Sequence, residues 1–552
     1  MPTSDSPQSA DSARQLIEAV LAWRANPRRE QPWDPAVQRA LETDHDLAPA
    51  LLRLLLSDHA PDGRAQQTPT AGYGVCLALL GEALTRIRYA VERQRPWAAD
   101  MAEQVQQDIA QLAFKPEVDV RVQQDLIATL HEAKLPLHPC IRDQAAELSA
   151  YYARFQGARG PADLDTLLER LARETATDDP FALLEALLAQ MTVMPAEAQV
   201  MMATGMMASR QPQLNELGLL LLLHPEAPVR TQLPDAYRQT GAAGRVGALG
   251  LRRLIGLRNW LPADERPAVD ALIREVRLAG VAPAPLAPVQ ALRVYASAFD
   301  GSGAQAVWTF VKEKRHYRIT AVLVKQGVGI REVWGEGGFT KREMDDRIRQ
   351  MTGNGAAVPV AGDYVPPLVA HFIAVGLDRL TPPPAQLLAL NELAGGDYWK
   401  PQPLPPADAM ADLAATDPGA FTPKRVQQVL AQSRDWPERH AFAASWFEDD
   451  ARIDDLLRSR VGPPADWIAQ LPAAAAAVVE QVLEERRGPW AERLLWMARW
   501  AQATQGRTPV TWQEFLIVAQ ELVQGRTLAQ VPLMQTIAVR SVQSAWRRAG
   551  GR

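Results

Sequence analysis

The sequence predicts a mainly α protein: an irregular α-solenoid-like helical array, a small central antiparallel α+β module and a C-terminal helical domain. Three observations carry that prediction. Apolar residues recur at helical spacing over most of the chain, strand-like alternation is confined to one stretch near its middle, and proline-rich segments flank that stretch. The 552 residues therefore divide into a disordered N-terminus over 1–11, a helical array over 12–280, a linker over 281–289, the α+β module over 290–399, a second linker over 400–406 and a helical domain over 407–552.

The array is read from runs such as Leu16, Ile17, Val20 and Leu21, then Leu51, Leu52, Leu54 and Leu55, then Leu79, Leu80, Leu84 and Ile87. Pro96, Pro116, Pro136, Pro180, Pro195, Pro225 and Pro262 fall between runs, where a proline opens a helix without removing a needed donor. Two helix starts look alike. Lys115-Pro116-Glu117-Val118-Asp119-Val120-Arg121 matches His224-Pro225-Glu226-Ala227-Pro228-Val229-Arg230 at Pro, Glu, Val and Arg, and His138-Pro139-Cys140-Ile141-Arg142 is a looser copy. A proline and an acid at the start, followed by an aliphatic-Arg pair, resembles the second helix of HEAT-type repeats. That resemblance implies stacked helix pairs that bury faces no single pair could bury alone.

The module is read from four short runs rich in Val, Ile, Thr and aromatics: Leu292 to Phe299, Ala304 to Val311, His316 to Lys325 and Gly329 to Trp334. Asp300-Gly301-Ser302-Gly303, Lys312-Glu313-Lys314-Arg315 and Gln326-Gly327 separate them with the composition or length of hairpin turns, so a four-stranded meander is expected. Thr340 then caps a helix in which Glu343 closes a capping box, and further helices are expected around Pro366 to Leu380 and Pro384 to Ala394. Towards the C-terminus, nine of the 15 tryptophans lie between Trp399 and Trp546. Trp496 and Trp500, one helical turn apart, are expected to share or flank a buried face rather than form an aromatic ligand cage.

Composition narrows the function classes. Hydrophobic content of 47% and charged content of 22% exclude wholesale disorder and fibrous repeats. A net charge of −5 argues against a general polyanion binder. Only eight of the 59 cationic side chains are lysine, and four of those eight fall between 312 and 341. Residues 291–350 hold eleven Lys/Arg against seven Asp/Glu, a local +4 in an otherwise acidic chain. Cys76 and Cys140 are too few for a disulfide framework and are expected to be buried and reduced. The first ten residues lack a basic start and an apolar run, and no apolar stretch approaches the ~20 residues of a membrane span, so a cytoplasmic protein without a membrane partner is expected.

The β module holds the leading candidate site. Lys312, Lys314, Arg315, Arg318, Lys325 and Arg331, with Trp308, Tyr317 and Trp334, could hold a phosphate backbone while the aromatics stack bases. Against it stands a solvated hairpin tip over a small aromatic core, the favoured reading because +4 is small beside dedicated phosphate-binding patches. The glycines of the module match no phosphate-cradling loop and read as turn glycines, although Gly335 to Gly338 precede a helix N-terminus. Met194, Met201, Met202 and Met206 form a partner-groove candidate within a methionine-rich stretch, with ordinary helix packing preferred. Glu448, Asp449, Asp450, Asp454 and Asp455 could converge on a divalent metal, yet an acid-rich first turn is also what a helix N-terminus favours. No zinc pattern or Gly-x-Ser-x-Gly elbow occurs, and no catalytic residue, metal ligand or cofactor is assigned. The expected function is a non-enzymatic helical scaffold or adaptor for a protein partner. A nucleic-acid-associated accessory protein is the alternative, and a metal-dependent hydrolase on the C-terminal acids is the weaker one.

Overall fold

The structure is a computed structural model that describes residues 7–24, 35–58, 71–93, 95–116, 118–156, 179–209, 211–285, 293–353, 355, 357–394 and 399–549. It is mainly α, with one small antiparallel sheet in its middle. The chain divides into two compact units, 1–202 and 203–552. This division falls inside the stretch read from sequence as one array over 12–280. The second unit also takes in both the sheet and the C-terminal helices, which the sequence assigns to separate domains.

In the first unit, eight helices run between Pro7 and Met191 among the described residues. The first begins at Pro7, so residues 7–11 of the expected disordered N-terminus are helical; residues 1–6 lie outside the described residues. Leu51, Leu55, Leu79, Leu80, Leu84, Val105, Ile109, Leu126 and Leu130 meet in one core, because residues three or four apart share a helix face. Short side chains start the helices. Asp119 accepts from the Arg121 amide at 2.8 Å, and Asp179 accepts from the Phe181 amide at 3.0 Å ahead of Pro180.

The second unit opens with helices Pro212–Leu220, Leu233–Gln239, Ala248–Leu257 and Arg266–Leu278. The His224-Pro225 start has a specific internal logic. His224 Nδ1 accepts the Glu226 amide at 3.1 Å, and the fully buried Arg230 donates to the His224 carbonyl at 2.7 Å. The same guanidinium forms a two-pronged pair with Glu265, at 2.7 and 2.8 Å. The aliphatic-Arg signature thus supplies a buried cation that satisfies the carbonyls of the turn and ties it to the start of the helix Arg266–Leu278.

The sheet contains β1 (Arg293–Ala296), β2 (Ala304–Glu313), β3 (His316–Lys325), β4 (Gly329–Phe339) and β5 (Val358–Val360), in the order β4-β3-β2-β1-β5, with all neighbours antiparallel. The expected four-strand meander is therefore extended by a short fifth strand on β1. One face carries Val294, Ala296, Val307, Thr309, Thr320 and Val322, all buried. Tryptophans of the C-terminal helices secure the β1 side of the sheet. Trp500 Nε1 donates to the Ala296 carbonyl at 3.3 Å, and Trp446 Nε1 donates to the Phe299 carbonyl at 3.0 Å. Trp496 and Trp500 are both buried, as their spacing predicts. Two glycines permit the close approaches this packing needs. A Cβ on Gly301 would fall 1.8 Å from the Ser445 carbonyl oxygen, and one on Gly329 (φ +108°) would fall 2.7 Å from Gly376 Cα in the helix Val365–Leu377. At Gly301 the requirement is backbone proximity, not the turn conformation that the sequence suggests.

Candidate interaction face of the central sheet

The second face of the sheet is built by alternation. Tyr295, Trp308, Ala321 and Trp334 are successive partners across β1 to β4, so three aromatics lie in one row on one face. Phe310 and Ile319 form the next row toward the β2–β3 hairpin. There the helix Lys341–Gly353 folds back over the sheet. Its Met344 is fully buried against Phe310 and Ile319, with Tyr317, Phe339, Ile348 and Met351 around them. The helix starts as its sequence predicts: the Glu343 carboxylate accepts the Thr340 amide at 2.8 Å, and the Glu343 amide donates back to the Thr340 hydroxyl at 3.3 Å.

Beyond that helix, among the described residues, the face opens only at its β4 edge. Trp334 is 47% exposed, and Gly335, Glu336, Gly337 and Gly338 after it are exposed as well. They lie on β4, an edge strand whose backbone pairs with β3 on one side only among the described residues. The first half of β4 is covered instead, where Gly329 meets the helix Val365–Leu377. The flanking charge is mixed, since Glu336 approaches Arg347 at 3.8 Å and Arg347 stands over the Phe339 ring.

The nine residues proposed from sequence for nucleic acid do not gather into one patch. Lys312, Lys314 and Arg315 are exposed at the β2–β3 hairpin, where Lys314 takes a left-handed backbone with φ 54°. Lys312 is four residues along β2 from Trp308, about 13 Å at the rise of a strand. Lys325 lies the same number of residues from Ala321 at the opposite end of β3. Arg318 pairs in register with buried Val311, so it points to the other face. There Arg318 Nε donates to Glu313 at 3.0 Å, and the guanidinium sits over Gly335 and Gly337. Arg331 is half-buried beside a register shift in β4. Tyr317 is packed under the covering helix, Trp308 is half-buried, and Trp334 alone of the three is exposed.

The methionine stretch also separates. Met202 and Met206 are buried, Met194 is half-buried, and Met201 is 66% exposed. No exposed methionine row results, and packing accounts for the two buried ones.

The C-terminal acids are each engaged. Asp450 caps the helix Ala451–Arg460 through the Arg452 amide at 2.9 Å and pairs with the Arg452 and Arg486 side chains at 2.8 and 3.4 Å. Arg548 bridges Asp449 and Asp454, Glu448 accepts from Trp490 Nε1 at 2.8 Å, and Asp455 pairs with Arg458. No three acids, histidines or cysteines come together in a metal-holding group among the described residues. The engagement has a pH signature. Burial by itself raises the Asp450 carboxyl, but the Arg452 hydrogen bonds and the Arg486 charge outweigh it and hold the group below its ordinary range. A carboxylate depressed in the folded state stabilises above its unfolded value, and that stability is lost as pH falls through the folded one. Unfolding midpoints in urea are therefore expected to drop on acidification below about pH 4, and to drop less for Asp450→Asn. Equal slopes for the two proteins would refute the assignment.

Two features escape a reading by composition. Met344 is an unremarkable residue in sequence, yet it seals the aromatic cluster. Cys140, expected to be buried, is half-buried and lies against His138, whereas Cys76 is buried as expected.

Two family models match separate parts of the chain: the Y4lR second domain over residues 195–280 and the Y4lR C-terminal helical domain over residues 407–546. Both adjoin the proline-rich stretches that bracket the sheet module. A protein of Sinorhizobium fredii (strain NBRC 101917 / NGR234), named "Uncharacterized protein y4lR", is 23% identical over 368 residues. The alignment spans 64% of this chain and 66% of that protein's length. No solved structure matches the chain.

Proposed function

We propose that this chain is a non-enzymatic helical scaffold or adaptor that holds a protein partner, with Trp334 and the open edge of β4 as its contact. The supporting observation is a large aromatic, 47% exposed, on an edge strand whose following residues are exposed too. An unpaired edge offers backbone donors and acceptors to an added strand, and an adjacent tryptophan offers apolar area to bury. Contact residues of this kind are enriched in tryptophan. The His-Pro helix starts at His138 and His224, capped alike, fit the HEAT-like stacking of a scaffold.

The mixed charge beside Trp334 and the separation of the lysines from it favour a protein over a phosphate backbone. We place the protein in the cytoplasm without a membrane partner, in keeping with two free thiols. Among the described residues no helix is long and apolar enough to cross a membrane.

Trp334→Ala tests the proposal. Because Trp334 is half open to solvent, the variant is expected to fold with little loss of stability while a stoichiometric partner disappears from native isolates. Wild-type chain isolated alone, or a partner retained equally by both, contradicts it. Single-stranded nucleic acid bound at low salt, and released on joint replacement of Lys312, Lys314 and Arg315, would favour the accessory-protein alternative instead.

A further inference from the structure

The turn into the helix Pro139–Gln156 lines up a thiol, an imidazole and a carboxylate within the first unit. His138 Nδ1 lies 2.9 Å from Cys140 Sγ, and its Nε2 faces Glu103 Oε1 at 3.6 Å. Buried Gln106 fixes the turn: its Oε1 accepts the His138 amide at 2.8 Å, and its Nε2 donates to the Pro136 carbonyl at 3.2 Å. The Cys140 amide also donates to Nδ1, at 3.3 Å. That nitrogen is therefore an acceptor, and the ring proton sits on Nε2 toward Glu103. This tautomer puts the Nδ1 lone pair, shared with the Cys140 amide, within reach of the thiol proton, and the Gln106 carbonyl is a second, more distant acceptor for the thiol at 3.9 Å. A nucleophile within hydrogen-bond reach of a base is the core of an activated side chain, and Glu103, beyond hydrogen-bond distance of Nε2, adds its charge.

The cap itself does not require a thiol. At the corresponding turn, His224 Nδ1 accepts the amide of Glu226, which stands where Cys140 does. Cys140 and His138 are both half-buried and reachable from solvent, whereas Cys76 is buried. The amides of Cys140 and Ile141 are spent on His138, through Nδ1 and the carbonyl, so the first turn offers no such pair to a developing oxyanion. That geometry suits attack on sulfur better than acyl transfer.

We propose that Cys140 is a covalent modification site, its thiol exchanging with small cationic disulfides while His138 serves as base. The thiol proton passes to His138 Nδ1 as Sγ attacks one sulfur of the disulfide. The new S–S bond forms as the old one breaks, and the departing thiolate takes the proton from the imidazolium. Cys140 is thereby oxidised to the disulfide level and half of the reagent is reduced to a thiol. Charge selects the reagent. Burial, with Asp143 and Glu103 nearby, holds the thiol above its ordinary range, so the resting sulfur is protonated and needs the base. The same two carboxylates attract a cationic disulfide and repel an anionic one.

The test uses the full chain, with cystamine and oxidised glutathione as probes at neutral pH, and mass spectrometry of the two cysteine peptides. Cystamine is expected to modify Cys140 and spare Cys76. Cys140 should react with cystamine at least about tenfold faster than N-acetylcysteine does under the same conditions, and His138→Gln should remove about tenfold of that rate. The wild-type rate should already be high at neutral pH, while that of H138Q should keep climbing into the alkaline range. Glu103→Gln, which leaves the cap in place, should shrink the preference for cystamine over glutathione severalfold, and it carries the test if H138Q fails to fold. A Cys140 rate at or below that of the free thiol overturns the proposal, as does a reagent preference unchanged in E103Q.

Discussion

Glu265→Ala is expected to destabilise the second unit by about 3–5 kcal/mol, the usual cost of stranding a buried charge. Its partner Arg230 has a side chain only 1% exposed and Glu265 one 9% exposed, so the charge left behind is largely shielded from bulk water. The His224 carbonyl, at 2.7 Å, still accepts from Arg230 but carries no compensating charge. A cavity of about 130 Å³ adjoins the pair between Leu222, Pro234 and Ala268, and water entering it would bring the loss toward the lower end of the range. Replacing both partners by apolar residues, Arg230→Met with Glu265→Leu, should recover much of the stability, since the desolvation cost disappears with the charges. Urea unfolding of the full chain gives the cost, and amide hydrogen exchange in the segment around buried Trp260 and Leu261 locates it. A single substitution costing under about 1 kcal/mol would mean that the pair is solvated.

Gly301→Ala is expected to cost about 3 kcal/mol or more, at the upper end of overpacking penalties. The obstacle is main chain on both sides. A Cβ there meets the Ser445 carbonyl oxygen at 1.8 Å, while the Gly301 amide donates to Ser445 Oγ at 3.0 Å. The Gly301 carbonyl accepts from Arg493 Nη1 at 2.9 Å, and buried Arg493 also donates to Gln326 at 3.0 Å. Moving the loop would thus break the contacts that join two sheet turns to the helix Arg487–Ala503. Gly244→Ala is the control, because a Cβ there meets nothing within 4 Å. Comparable midpoints for the two variants would show that the loop relaxes freely.

These features differ in how far they can be read from sequence. Alternating β-branched and aromatic residues bounded by short polar turns define the hairpins. Parity alone puts Trp308 and Phe310 on one face of β2 and Ile319 and Ala321 on one face of β3, while the tighter turn, with Glu313 opposite His316, sets their pairing. The Thr340 and Glu343 cap is equally local. Parity also holds an unused signal: Arg318, one residue from Tyr317, must point away from it. Other features depend on long-range packing. Val358-Pro359-Val360 is too short to show a period, and it becomes a strand only because β1 offers an edge. The helix Ala196–Ala208 has no polar stripe, so its sequence cannot separate exposed Met201 from buried Met202. The approach of Ser445 to Gly301, 144 residues apart, leaves no local mark. For the candidate face, composition points to the same sheet but spreads the residues over its cations. Folding covers one half with the helix Lys341–Gly353 and leaves Trp334 open.

That open edge is where the scaffold proposal is most directly tested. Amide hydrogen exchange of residues 334–338 should be compared between the natively isolated complex and the chain stripped of its partner. Strand addition predicts slow exchange there in the complex and fast exchange in the stripped chain. Equal exchange in both, with protection arising elsewhere, would contradict the assignment of β4 as the contact.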